Sequence, residues 1–344
     1  MRRRAGAPQL DFGKSMRQDG RSMDSRERVQ SVLAGEKPDR VPFNFWMDRR
    51  LMAQYARRYG GPYFRVTHFG ADVIETFPLL DWPRGPCVDH EGTEWQTGPL
   101  IHDWSEADGL RMPDTSMDCI WDIIHRDLTA FPDKAVFLDV ITPWGIAAGI
   151  RTYELMMTDM VLHPEAVKRL LGRLERVYVP VVERACRMGI TALYLMEDIA
   201  STQGLMFAPE MIREFCIDYV RSLVEIARSY GIPVVWHTDG KAMDACELFV
   251  ELGVAAVNPL QPHLNDLGAF RQRYNGRLAL YGGLDNCYVI PNGGPEDVRR
   301  HVIDTFDRVG RGGGLIFSTH DIPIGTPEEN VTTMVRAIVD ECVY

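Results

Sequence analysis

The chain has 344 residues, with 38 Lys+Arg against 48 Asp+Glu, a formal charge of −10, and is 45% apolar and 25% charged. That length admits two ordinary domains or one large α/β barrel, and the apolar fraction excludes a disordered chain. The acidic balance weighs against a nucleic-acid partner, because phosphate binding needs a basic face, and no apolar run approaches the roughly 20 residues of a membrane span.

Residues 1–23 carry Arg2, Arg3, Arg4, Lys14, Arg17 and Arg21 without an apolar stretch. They are expected to form a flexible basic arm rather than a secretory signal. The 7 cysteines are odd in number and form no C-x-x-C pair. Reduced thiols in a cytoplasmic protein are therefore expected, not a disulfide frame.

From Asp24 onward, short apolar or β-branched runs alternate with longer amphipathic stretches. In chain order the expected strands are Val41–Trp46, Asp72–Phe77, Ala135–Ile141, Thr191–Met196, Pro233–His237, Val254–Asn258, Leu278–Tyr281 and Leu315–Ser318. Each is bounded by Gly, Pro or polar residues, as buried parallel strands are. Helices are expected over Pro164–Met188, Pro209–Ser229, Asp244–Leu252, Pro295–Val309 and Pro327–Val343. Several begin on Pro-Glu, and some, such as Asp244–Leu252, stop before glycine. This alternation predicts a (β/α)8 TIM barrel over residues 24–344. An open doubly wound sheet ranks below it, because no G-x-G-x-x-G follows a strand. Residues 79–113, rich in Pro, Gly, Trp and acids, break the rhythm and predict a β-rich insertion or lid after the second strand.

A barrel of this kind places its chemistry at the carboxyl ends of the strands. Those ends offer Asn44 and Asp48, Glu75, Trp144, Glu197 and Asp198, His237 and Asp239, Asn258 and Gln261, Tyr281, and His320. The sharpest grouping is His237, Asp239 and His320. Residues two apart on an extended segment point the same way, and two imidazoles with a carboxylate make a zinc set with one open position. The same three side chains also suit a hydrogen-bonded pocket or direct substrate contact. Glu197 and Asp198 are adjacent, so one is expected to face the cavity and the other to cap a loop. Trp144 reads as core or as ligand wall. Cys287 is the thiol nearest the mouth and reads as inert.

Several blocks look like one known family: Ser25-Arg-Glu-Arg-Val with Leu33-Ala-Gly-Glu-Lys-Pro-Asp-Arg-Val-Pro42, Pro209-Glu-Met-Ile-Arg-Glu-Phe215, His237-Thr-Asp-Gly240, Tyr281-Gly-Gly-Leu-Asp285 and Thr326-Pro-Glu-Glu-Asn330. From about residue 24 to the end the chain resembles the uroporphyrinogen decarboxylase superfamily, which also contains cobalamin-dependent methyltransferases. The resemblance implies the barrel and a homodimer. In place of the decarboxylases' arginine-rich M-R-Q-A-G-R segment this chain has Phe45-Trp-Met-Asp-Arg-Arg50. The methyltransferase branch binds zinc through H-x-C and a later Cys; the matching positions here are His237, Asp239 and His320. The expectation is a zinc-dependent methyltransferase working between a small, methoxylated substrate and a corrinoid on a separate partner protein. Glu197 and Asp198 are expected as proton donor or orienting group. Tyr281, Asn44, Asp48, Trp144, Asn258 and Gln261 are expected at the substrate. The alternatives are a metal-free decarboxylase or lyase of the same fold, and a barrel that only binds a ligand.

Overall fold

Seven apolar runs pair side by side in the computed structural model, which describes residues 22–90 and 93–344. In chain order the strands are β1 (Val73–Thr76), the exposed hairpin β2 (Cys87–His90) and β3 (Thr93–Gln96), β4 (Ala135–Ile141), β5 (Ala192–Met196), the short pair β6 (Ala200–Ser201) and β7 (Gly204–Leu205), β8 (Val234–Thr238), β9 (Ala256–Pro259), β10 (Ala279–Gly283) and β11 (Leu315–Ser318). The main sheet runs β1-β4-β5-β8-β9-β10-β11 and is parallel at every pairing. Helix lies in each connection between neighbours, as parallel pairing demands.

The first expected strand, Val41–Trp46, forms no regular ladder, and this corrects the sequence expectation. Pro42 has no N–H to give to a ladder. The segment still closes the ring through isolated parallel bridges, Phe43 to Phe317 and Met47 to Ile322. On its other side the carbonyl of Phe43 accepts the N–H of Asp72 at 2.8 Å, just before β1.

Alternation along the strands sorts the interior. Val73, Ala135, Phe137, Ala192, Tyr194, Val235, Ala256, Ala279, Tyr281 and Ile316 form a cluster of their own inside the ring, the period-2 face of each strand. Val29 and Val32 of the helix Ser25–Leu33 plug the amino-terminal end of that cluster. Beside the plug, Arg28 reaches Asp39 at 2.6 Å and Asp72 at 2.8 Å, and Arg40 reaches Asp72 at 2.8 Å. Met23, placed in the arm by sequence, is buried, and its N–H donates to Asp39. Residues 1–21, the rest of that arm, lie outside the described residues.

The helix Pro164–Met188 has the expected bounds. The helix expected over Pro209–Ser229 is interrupted. A 3-10 turn at Ile217–Tyr219, with Cys216 and Ile217 buried, separates Pro209–Phe215 from Arg221–Ser229. Tertiary packing there overrides helical spacing. Among the described residues of the insertion, one hairpin is the β content and Trp104–Gly109 is 3-10 helix. Backbone hydrogen bonds from Gly85 and Leu100 strap it to Gly149 and Ile150 of the helix that follows β4. Among the described residues no helix is long and apolar enough to cross a membrane.

Candidate active site

The loops after β5 and β8 are tied to each other. The N–H of Asp239 donates to Asp198 Oδ1 at 2.9 Å, that of Ile199 to Thr238 Oγ1 at 3.1 Å, and that of Lys241 to the carbonyl of Ser201 at 2.9 Å. Gly240, at φ +86°, gives its N–H to Gln261 Oε1 at 2.9 Å. A Cβ at Gly240 would lie 2.5 Å from the Ser201 carbonyl oxygen, so the loop can pass there only as glycine. Within β10 the reason for glycine is similar. A Cβ at Gly282 would meet the Pro259 oxygen at 1.5 Å.

His237 is oriented by its neighbours. Its Nδ1 lies 2.8 Å from Asn258 Oδ1 and 3.1 Å from the Tyr194 hydroxyl. The Asn258 amide nitrogen donates to the Tyr281 carbonyl at 2.9 Å, and Tyr194 donates to Asn258 Oδ1 at 2.6 Å. The Asn258 oxygen can therefore only accept, which makes Nδ1 of His237 the donor and, in the neutral ring, places the lone pair on Nε2. Asp198 lies 3.9 Å from that nitrogen.

His320, beyond β11, faces the same point. Its Nε2 sits 2.9 Å from Asp239 Oδ2, and its ring is 6.2 Å from that of His237. One ligand atom from each of His237, Asp239 and His320 lies within 4.8 Å of the others. Burial would lower the His320 pKa, but the bonded Asp239 raises it above the ordinary value; Asp239 is correspondingly lowered, against its own burial, by His320 and His237. The other Asp239 oxygen, Oδ1, is shut from solvent without a hydrogen-bond partner. An orphaned carboxylate oxygen is unfavourable unless a cation or a water satisfies it. Two nitrogens and an oxygen this close would hold one ion with bonds of about 2 Å after drawing in to the roughly 3.3 Å ligand separation of a tetrahedral site.

Deeper in the ring lies a second polar group. Glu75 accepts from Asn44 Nδ2, from Arg65 Nη2 at 3.1 Å and from the Tyr281 hydroxyl at 3.4 Å. Burial raises the Glu75 carboxyl above its ordinary value despite Arg65. Burial and the charge of Glu75 raise that of Asp139 further, and Asp139 Oδ1 has no partner. Both carboxyls are thereby biased toward the protonated form, Asp139 the more strongly. Arg65 also stacks over the Trp46 ring at 4.4 Å.

The expected residues thus fall into separate groups. His237, Asp239 and His320 converge, with Asp198 beside them and Asn258 and Gln261 holding them in place. Asn44 and Tyr281 belong to the Glu75 network instead. Glu197 diverges from Asp198: its Oε2 accepts from Thr142 Oγ1 and from the Gly145 N–H at 2.9 Å, capping the helix Pro143–Arg151. Asp48 caps the helix Arg49–Tyr59 by accepting from the Arg50 N–H at 2.8 Å. Trp144, expected at the substrate, is fully buried and packs within the helical layer, with its indole N–H on Met160 Sδ and its ring against Tyr153 and Phe207. Sequence reasoning missed Tyr194, Arg65 and Asp139. An acid inside the apolar run Ala135–Ile141, on the inward parity of Phe137, was the available signal for Asp139.

Known proteins share this architecture. A family model described as uroporphyrinogen decarboxylase (URO-D) matches residues 91–340. The uroporphyrinogen decarboxylase of Coxiella burnetii (strain RSA 493 / Nine Mile phase I) is 24% identical over 259 residues, 70% of this chain and 69% of that protein. That of Legionella pneumophila (strain Paris) is 25% identical over 267 residues, 74% of this chain and 71% of that protein. Among solved structures, a methyltransferase from Methanosarcina mazei superposes with a TM-score of 0.69 at 14% identity, covering 93% of this chain and 99% of that one.

Proposed function

We propose that this chain, which belongs to the uroporphyrinogen decarboxylase family, is a zinc-dependent methyltransferase moving a methyl group between a small methoxylated substrate and a corrinoid on a separate protein. The observation that carries this reading is the convergence of His237, Asp239 and His320 within 4.8 Å. A zinc ion held by these three would supply Lewis acidity toward the substrate oxygen at an open fourth position. A donor set of oxygen and imidazole, without sulfur, suits such an oxygen.

The chain's own residues position and protonate. Asn258 and Tyr194 hold His237 with Nε2 directed away from them, while Asp198 and Gln261 hold the loop that carries Asp239. A corrinoid on the partner would supply the acceptor for the methyl group, and the oxygen released when the ether C–O bond breaks would need a proton. Glu75 and Asp139 keep a proton in the barrel lining, with Arg65 limiting the charge there. The methyltransferase from Methanosarcina mazei supports the reading at the level of fold.

The names of the curated relatives favour a second reading, decarboxylation without a metal. A polycarboxylate substrate needs several converging cations, whereas Arg65 in the lining is already paired with Glu75 at 3.1 Å. Methyl transfer is therefore preferred. The test is metal analysis of the full chain, with turnover of a methoxylated aromatic in the presence of a corrinoid protein. His320→Ala is expected to remove about one equivalent of zinc and the turnover. Unchanged zinc and turnover in that variant would end the metal reading. Release of carbon dioxide from a carboxylated substrate, with no methyl transfer, would establish the second.

A further inference from the structure

The geometry points to a second cation site, formed by His263, Asp285 and Cys287, that takes a soft divalent ion of the zinc class. It is independent of the proposed function, because it uses neither His237 nor His320. His263 lies on the loop after β9, and Asp285 and Cys287 lie on the loop after β10. One ligand atom from each lies within 4.8 Å of the other two. Cys287 Sγ is 3.6 Å from His263 Nε2. Tetrahedral zinc, with a Zn–S bond of about 2.3 Å and a Zn–N bond of about 2.05 Å, separates its sulfur and nitrogen ligands by about 3.6 Å. The pair already stands at the spacing an ion would impose.

The third donor is held rather than free to swing. Asp285 Oδ1 accepts the N–H groups of Cys287 and Tyr288, each at 2.8 Å, and the Asp285 N–H donates to His301 Nε2 at 3.0 Å. The Tyr288 ring meets His263 edge-on at 5.7 Å and 87°, which limits the imidazole's rotation. Asp285 is buried whereas Cys287 is exposed, so the site opens to solvent and leaves a fourth position for water. A thiolate donor makes this site softer than the sulfur-free set at His237.

The competing account is a metal-free thiol–imidazole hydrogen bond, and cobalt distinguishes the two. The reduced full chain, stripped of metal, is titrated with Co2+ alone while the near-ultraviolet thiolate-to-cobalt charge-transfer band is followed. Only a sulfur ligand produces that band, so the sulfur-free centre at His237 is silent. The expected result is a band that saturates by about two equivalents in the wild-type protein and near one in His320→Ala, and that is lost in both Cys287→Ser and His263→Ala. Far-ultraviolet circular dichroism confirms folding of the variants. No band in the wild-type protein, or a band that survives Cys287→Ser or His263→Ala, overturns the site. Loss of the band in His320→Ala also overturns it.

Discussion

The side-chain oxygen of Asn258 lies 2.8 Å from Nδ1 of His237 on the adjacent strand, while the Asn258 amide nitrogen is held by the carbonyl of Tyr281. That pairing fixes which imidazole nitrogen is free. Removing a partner behind a histidine ligand weakens metal binding by about 10–100-fold. Asn258→Ala is expected to lose zinc affinity by about that factor, measured by competition with a chelator. Wild-type affinity in this variant would show that Asn258 does not orient His237.

Burial holds the Glu197 carboxyl at about 8, up from 4.5, against the hydrogen bonds from Thr142 and Gly145. A raised acid means that the folded chain keeps a proton the unfolded chain releases. Stability therefore falls as pH rises from 4.5 to about 8 and levels off above that. Glu197→Gln mimics the neutral acid, so its unfolding midpoint in urea should lack this decline. An identical pH slope in both proteins would contradict the assignment.

Arg65 and Asp139 should behave oppositely. Arg65→Ala leaves the buried Glu75 carboxyl without its counter-charge, a change of the kind that destabilises by about 3–5 kcal/mol. Asp139→Asn replaces an acid that burial and Glu75 keep protonated, so it should shift stability by less than about 1.5 kcal/mol. Equilibrium unfolding of the two variants checks the contrast, and equal losses would refute a neutral Asp139.

At the other end of the barrel, Arg40 and Arg28 lower the Asp72 carboxyl well below the usual range in spite of complete burial. Here the sign reverses. A depressed acid contributes stability above its unfolded value of about 3.9, and that contribution is lost as pH falls toward the folded value. Acid unfolding of wild type should steepen below about pH 4. Asp72→Asn should be less stable at neutral pH, with a flatter acid limb. A variant with wild-type neutral stability would remove Asp72 from the account.

Much of this was legible along the chain because local rules act there. Proline-acid starts and glycine stops mark helices, and apolar runs bounded by turns mark buried strands, so Ala135–Ile141 and Leu315–Ser318 have the bounds that spacing predicts. The segment at Val41 did not, since Pro42 withholds an N–H from the ladder, although it still closes the ring. The strand-end rule of barrels picked out His237, Asp239 and His320, and strands three places apart in the sheet order bring them together across the mouth.

The sequence by itself determined the order of elements, the inward parity of each strand and the residue types at the mouth, because these depend on periods of 2 and 3.6 residues. Tertiary structure alone decided which neighbour each polar atom meets. Glu197 and Asp198 adjoin in the chain, yet one caps a helix and the other approaches His237. His263 and Cys287 are 24 positions apart, yet their side chains touch. Such contacts depend on ring closure and on rotamers set by packing, and neither leaves a local trace in the order of residues.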